Sequence, residues 1–205
     1  MAEKLVEIKV NEAEMKRVRR LLASVPGGMK KVMSRAVNKT ATHTRAEIVR
    51  RTGEKLTLLK KRIRDHLALR RATYSRWQAE VKVSNRRLPL FYFRGKKLKR
   101  GFRYEIEKGK PEKYKYTPDN PRFVTTVKNP WADPEKTGSH TGIFGRAAGT
   151  HAPMKEDLGP SLAAVLEKHK ELINRIKEDT GKNLMQNIRT QVNVLLMQHA
   201  NRGAV

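Results

Sequence analysis

Trp77-Gln78-Ala79-Glu80-Val81-Lys82-Val83 is where the hydrophobic period of this chain changes. Apolar residues at 77, 79, 81 and 83 alternate with Gln78, Glu80 and Lys82, so an extended backbone puts the apolar set on one face. From about residue 12 up to this stretch the apolar spacing is helical. After it, alternation returns several times. Helices first and strands afterwards predict an α+β fold rather than alternating βαβ units.

Upstream, residues 57–72 carry Leu59, Ile63 and Leu67 at i, i+4 and i+8, with Lys60, Lys61, Arg62, Arg64, Arg70 and Arg71 around them. This spacing predicts a basic helix. Residues 29–52 predict a longer one, with Met29, Val32, Met33, Ala36, Val37, Ala41, Ile48 and Val49 inward and Gly53 as its C-terminal stop. Residues 12–24 predict a third, begun by an Asn11 N-cap with Glu14 in the capping-box position and ended by Pro26-Gly27-Gly28. Val6, Ile8 and Val10 alternate with charged residues and predict a short strand.

Downstream, Leu88–Phe93 reads as a second strand, with Pro89 placing it at a strand start or a sheet edge. Phe102, Tyr104 and Ile106 mark a third strand, and Arg122–Lys128 and Thr141–Arg146 a fourth and fifth. Residues 108–121, with three prolines, and 129–140 read as loops. Between the second and third strands, Arg94-Gly95-Lys96-Lys97-Leu98-Lys99-Arg100-Gly101 holds five basic residues and has the look of a cationic hairpin tip. Gly159-Pro160-Ser161 starts a C-terminal helix, with Ser161 at the N-cap or first turn. Its apolar stripes are Leu162 to Ile176 and Leu184 to Leu196. Gly181 between them is a break or a kink, costing about 1 kcal/mol relative to Ala.

The expected architecture is one α+β domain over 1–205. A basic helical part (1–72) packs on an antiparallel sheet of about four to five strands (73–146). A Gly/Pro loop (147–160) and a long C-terminal helix (161–200) follow.

The charge is uneven. The net formal charge is +26, and residues 1–110 hold 32 Lys+Arg against 10 Asp+Glu, while residues 111–205 hold 14 against 10. Such self-repulsion points to a polyanion or an acidic protein surface nearby. The chain has no cysteine, which excludes disulfides, thiol catalysis and cysteine-ligated metals. No apolar run approaches the roughly 20 residues of a membrane span. Met1–Val10 lacks the apolar region of a signal peptide. A soluble protein made in the cytoplasm is expected.

Catalytic signatures are missing. His43, His66, His140, His151, His169 and His199 sit in neither a G-x-S-x-G nor an HExxH context. Packing or loop hydrogen bonds are their default roles. Gly142, Gly145 and Gly149 are not followed by Lys-Ser/Thr, so they read as turn glycines rather than a phosphate loop. Asp133, Glu135, Glu156 and Asp157 form only short acidic pairs, too few for a two-metal nuclease site. No enzyme activity, cofactor or metal is expected. No helix-turn-helix or RNA-recognition motif is present, so phosphate contact without base reading is the expected mode for any nucleic acid.

One segment is more specific. Gly142-Ile143-Phe144-Gly145-Arg146 is followed by a Gly/Ala loop, then Ala152-Pro153-Met154-Lys155-Glu156-Asp157-Leu158-Gly159-Pro160-Ser161-Leu162. This run resembles the minor tail protein Z family of tailed bacteriophages, also described as tail-completion or neck proteins. The resemblance extends upstream to Ala36-Val37-Asn38-Lys39-Thr40-Ala41 with Thr44-Arg45, to Leu88–Phe93 and to Gly101–Glu107, covering roughly residues 30–200. Its motifs are turns and helix starts (Gly142, Gly145, Arg146, Pro153, Gly159, Pro160, Ser161), not catalytic groups. The basic stretches 94–101 and 108–115 depart from it.

The resemblance implies a structural virion protein at the head–tail junction, made in the host cytoplasm. It would finish the tail and join it to the DNA-filled head. It implies a homo-oligomeric ring, six-fold, against neck, connector, tail-terminator or tail-tube proteins, with non-specific contact to genomic DNA in the channel and no membrane. Arg94, Lys96, Lys97, Lys99 and Arg100, then Lys60, Lys61, Arg62 and Arg64, are the residues expected to meet DNA or acidic neighbours. The main alternative is a non-specific nucleic-acid-binding protein of ribosome-associated or nucleoid type. A weaker one is a metal-dependent nuclease using Asp133 and Glu135.

Overall fold

Val6, Ile8, Ala79, Val81 and Val83 are all at most 2% exposed, and they form the floor on which the helices lie. The computed structural model describes residues 2–117, 122–128, 139–145 and 154–202. Strand β1 (Ala2–Lys9) leads to α1 (Glu12–Leu21), α2 (Gly28–Lys55) and the short α3 (Lys60–Asp65). Then come β2 (Leu67–Arg70), β3 (Gln78–Ser84), β4 (Arg87–Pro89) and a 3₁₀ turn over Leu90–Tyr92. Strands β5 (Lys96–Leu98), β6 (Gly101–Glu105), β7 (Pro111–Lys115), β8 (Arg122–Lys128) and β9 (Ser139–Gly145) follow. The chain closes with β10 (Lys155–Glu156), β11 (Leu158–Ser161), α4 (Leu162–Lys168) and α5 (Lys170–Arg202).

The fold is α+β with antiparallel pairing, as expected, but the strands do not merge into one sheet of four or five. They form small sheets ordered β1-β3-β2, β10-β9-β8, β11-β4 and β5-β6-β7. In the first, Val6 pairs with Val81 and Ile8 with Ala79, while Leu67 and Leu69 pair with Val83 and Val81. Paired residues share a face, so one apolar face is presented to α2.

Several boundaries differ from the sequence expectation. The helix read over 57–72 is helical only at Lys60–Asp65, and Leu67–Arg70 is a strand. Leu59, at the head of that apolar stripe, is 70% exposed. Leu67 and Leu69 satisfy a period of two, and the open edge of β3 supplies backbone partners that a longer helix would forgo. Gly53 does not stop α2, which continues to Lys55. Leu88–Phe93 is a strand only to Pro89, because the chain must turn at Leu90–Tyr92 to bury Phe93. Residues 111–115, read as loop, pair with β6. The C-terminal helix breaks at His169, and α5 runs through Gly181, where an added Cβ would meet open space.

Other local readings hold. Asn11 accepts from the Glu14 amide at 2.8 Å, and Ser161 accepts from the Ala164 amide at 3.1 Å, each capping a helix.

Helix α2 is held on two sides by polar pins within apolar contact. On one side, Thr40 and Thr44, four residues apart, meet α5. Asn187 Nδ2 donates to Thr40 Oγ1 at 2.9 Å, and the Thr44 and Thr180 hydroxyls are 2.9 Å apart. Thr180 donates its one proton to the Ile176 carbonyl at 2.7 Å, so Thr44 is the donor to Thr180. Arg51 pairs with Asp179 beyond them. On the other side, Asn38 Nδ2 donates to the Ala72 carbonyl at 3.0 Å and Asn38 Oδ1 accepts from the Ala72 amide at 2.8 Å. The side chain acts as a strand neighbour would, fixing the chain just after β2.

Glu80 lies opposite Glu7 in the β1–β3 ladder and is only 5% exposed. Burial alone would raise its pKa. A hydrogen bond from Gln78 and the charges of Lys4, Lys82 and Arg76 outweigh burial, and the carboxyl is held below its ordinary value of 4.5. The ionised form therefore stabilises the fold above about pH 4.5, and this contribution drains as pH falls through the lower folded-state value.

Asn38→Ala leaves both Ala72 backbone groups without their partner and lowers unfolding free energy by about 2 kcal/mol in urea titration. Asn38→Asp loses the donor to the Ala72 carbonyl and recovers only part of this. Glu80→Gln lowers the urea midpoint at pH 7, and the gap to wild type narrows at pH 3.

Candidate functional site: a cationic helix and hairpin

The basic residues singled out in the sequence occupy two elements, α3 and the β5–β6 hairpin. Lys60, Lys61, Arg62 and Arg64 are all exposed on α3, while Ile63 is fully buried and anchors it. Arg94, Lys96, Lys97, Lys99 and Arg100 are also exposed. Lys96 and Lys97 lie on β5, paired with Arg103 and Phe102, and Lys99-Arg100 forms the turn. The expected hairpin is present, and it extends into a three-stranded sheet through β7.

These two elements spring from one junction. The Thr57 amide donates to the Ile106 carbonyl at 3.2 Å, and the Lys108 amide to the Lys55 carbonyl at 2.9 Å. Leu56 bridges to Glu107. Arg62 stands over the Tyr92 ring at 4.2 Å, a cation–π contact between α3 and the turn preceding the hairpin. Phe93 is fully buried, and its carbonyl accepts from the Glu105 amide at 2.7 Å.

Arg94 behaves unlike the other hairpin cations. Its φ is +50°, in the left-handed region, and its guanidinium lies 3.6 Å from Glu105. It is partly consumed in holding the hairpin base. Gly95 follows because a Cβ there would collide with the Phe91 backbone. Among the described residues, no carboxylate forms a salt bridge with Lys96, Lys97, Lys99, Arg100 or the four α3 cations. By contrast, Arg50 and Arg51 are taken up by Glu47, Glu54 and Asp179. The hydrogen bond from Arg50 is the main reason Glu47 is held down to about pKa 2.

The hairpin is stiffened from behind. Phe102 is buried, and its ring stacks on Tyr114 at 5.0 Å between centroids, with Arg122 5.2 Å above Tyr114. Tyr104 donates to Glu112 at 2.5 Å; burial first and that acceptor second push the Tyr104 pKa up to about 12. Gly101 passes so close to the Tyr114 carbonyl that no Cβ fits.

Of the turn and helix-entry residues expected in the C-terminal segment, Ser161 caps α4 as read, while the glycines have a different task. Gly142 and Gly145 are not in a turn; both lie in β9, pairing with Thr125 and Arg122. A Cβ at Gly142 would press on Glu156 and Phe144, so glycine there permits close approach of β10. Residues 155–156 and 158–160, read as part of a loop, lie in β10 and β11. Gly159 lies against the Phe93 ring, where a Cβ would come within 2.9 Å. Arg87 donates to the Gly159 and Leu158 carbonyls at 3.2 and 2.8 Å, and the Leu90 amide to the Asp157 carbonyl at 3.0 Å. Pro160 is half-buried in β11, and Ser161 also donates to Asn85 at 2.8 Å. So β11 clamps the turn from which the cationic hairpin emerges. Arg146, Pro153, Asp133, Glu135, His151 and Gly149 lie outside the described residues.

Sequence reasoning missed Tyr92, Asn38 and Glu105 as positioning residues. Only the Asn in the α2 motif carried a signal. His140 bonds Glu156 at 2.5 Å, and its other ring nitrogen is 3.4 Å from the Tyr92 hydroxyl, which ties β9 and β10 to the same junction. Among the described residues there is no group of three or more His, Cys, Asp or Glu that could hold a metal, and no helix is long and apolar enough to cross a membrane.

A family model described as prophage minor tail protein Z (GPZ) matches residues 15–198, and the chain belongs to that family. No curated protein and no solved structure matches it.

Gly101→Ala forces its methyl group into the Tyr114 carbonyl. The expected result is loss of amide-exchange protection across β5–β7, with protection of α2 and α5 retained.

Proposed function

We propose that this member of the prophage minor tail protein Z family, a structural component of the phage tail, works at the tail's head-proximal end, completing the tail and joining it to the DNA-filled head. The observation that carries this reading is the exposed cationic surface of α3 and the β5–β6 hairpin. Eight exposed cations without salt-bridge partners among the described residues suit a repeating polyanion or an acidic rim. No catalytic step is part of this role.

The physical logic is that of a guide rather than a reader. Lys and Arg contacts to phosphates release counterions and are indifferent to sequence, so DNA slides past them. A surface of this kind gains by repetition. Copies arranged as a closed ring, six-fold in this proposal, would line a channel with the same hairpin from each subunit. Each cation is weak alone in physiological salt, where screening acts over about 8 Å. The rigid hairpin base keeps the charges together so that their effects sum. Acidic faces of neighbouring neck, connector, terminator or tube proteins are the other partners the surface fits.

A nucleoid-type or ribosome-associated binder would share the phosphate contacts but not the assembly. A defined ring, or co-purification with tails, favours the tail-joining role.

The test leaves Arg94 in place, because it supports the fold. Replacing Lys96, Lys97, Lys99 and Arg100 with Ser leaves the thermal midpoint within a few degrees of wild type. In complementation of a phage lacking the gene, it lowers the yield of joined, DNA-filled particles at least tenfold. Normal infectious titre from the fourfold variant would overturn the proposal.

A further inference from the structure

A second cationic site lies away from α3 and the hairpin. A cleft of about 650 Å³ opens between the N-terminal half of α2, the 72–74 loop and α5. Its lining includes Arg35, Asn38 and Lys39 from α2, Thr73 and Tyr74 from the loop, and Gln191 from α5. No acidic residue lines it.

Three features make this cleft more than a solvated surface. Tyr74 is 58% exposed and lines the cleft. The loop that carries it is rigid. Asn38 grips both backbone groups of Ala72, the Thr73 amide donates to the Arg76 carbonyl at 2.9 Å, and Trp77 Nε1 donates to the Tyr74 carbonyl at 2.9 Å. Arg35 and Lys39, at i and i+4, project from one face of α2 and are exposed. Among the described residues, neither they nor Gln191 engage a side-chain partner.

We infer that this cleft binds a nucleotide of single-stranded nucleic acid. The base stacks on Tyr74, Gln191 meets a base edge, and Arg35 and Lys39 hold the adjacent phosphates. The cleft is of the size that takes a nucleotide. Anionic charge alone would be served by the hairpin; an exposed aromatic beside two free cations is what an unpaired base with its phosphate requires. Duplex DNA, whose bases are already stacked, cannot use Tyr74. The site is therefore selective for single strands, and the inference stands apart from the tail-joining role.

Fluorescence anisotropy of the full-length protein with labelled oligo-dT, a mixed-sequence duplex and labelled polyglutamate tests this. Tyr74→Ala is expected to weaken oligo-dT binding roughly 5- to 150-fold, the range for one stacked base, and leave duplex binding unchanged. Tyr74→Phe restores oligo-dT affinity. Arg35→Ala with Lys39→Ala lowers the oligo-dT salt slope by about 1.4. Circular dichroism confirms that each variant folds. No binding of oligo-dT by wild type, or equal oligo-dT affinity in wild type and Tyr74→Ala, overturns the inference. So does an equal loss for polyglutamate, which would mark the cleft as a docking site for an acidic protein. Particle assembly by the hairpin variant is read separately, so failure of one proposal leaves the other standing.

Discussion

Helix α2 touches α5 along one side and the β1–β3–β2 sheet along another, and the residues on those two sides are buried. Ala36, Val37, Thr40, Ala41 and Thr44 allow little tolerance there, since each is at most 1% exposed. Small and branched residues bring the backbones close. Thr40 Oγ1 donates to the Ala36 carbonyl and accepts from Asn187, and the Thr44 hydroxyl pairs with Thr180, so both buried hydroxyls are satisfied. A buried hydroxyl left unpaired would cost about 1–3 kcal/mol, so these pins fix one register between the two long helices. With α2 and α5 fixed, the Leu56–Thr57 segment and α3 are placed at one end of α2, and the 72–74 loop is placed on its flank by Asn38.

The two cationic regions depend on this frame in different ways. The hairpin stands on a base where Phe93 is buried beneath Gly159, Glu105 holds Arg94, and the α2–α3 connection bonds to Ile106. The charge at its tip is free because the residues at its base absorb the structural work. Elsewhere the excess charge is managed locally. Glu80 gathers Lys4, Arg70, Arg76 and Lys82 within 4.0 Å, so that a buried carboxylate ties together cations that would otherwise repel. Net charge alone would not distinguish these two uses of basic residues.

Much of the helical and strand pattern was legible in order: the long α2, the Trp77–Val83 alternation, the cationic hairpin and both capped helix starts. The errors cluster where a short apolar run fits two periods. Leu59, Ile63 and Leu67 fit a helix, but Leu67 and Leu69 fit a strand, and only the open edge of β3 chose between them. Pro111 read as a loop signal, yet it begins an edge strand, where its missing N–H costs nothing. The Gly159-Pro160-Ser161 segment was recognisable as a helix start. That its glycine lies against Phe93 was not readable, because the two are far apart in the chain.

The amino-acid order by itself determined the local periods, the helix caps, the absence of cysteine chemistry and the concentration of positive charge in the first half, since each depends on neighbours within a few residues. It also carried the match to the family over residues 15–198. Only the tertiary structure decided which cations are free and which are spent. It divided the described strands among small separate sheets and joined α3 to the hairpin through Tyr92 and the Leu56–Glu107 bridge. It also set Tyr74 beside Arg35 and Lys39. These are contacts between residues tens of positions apart, and their partners are chosen by packing and by the need to pair every buried polar group.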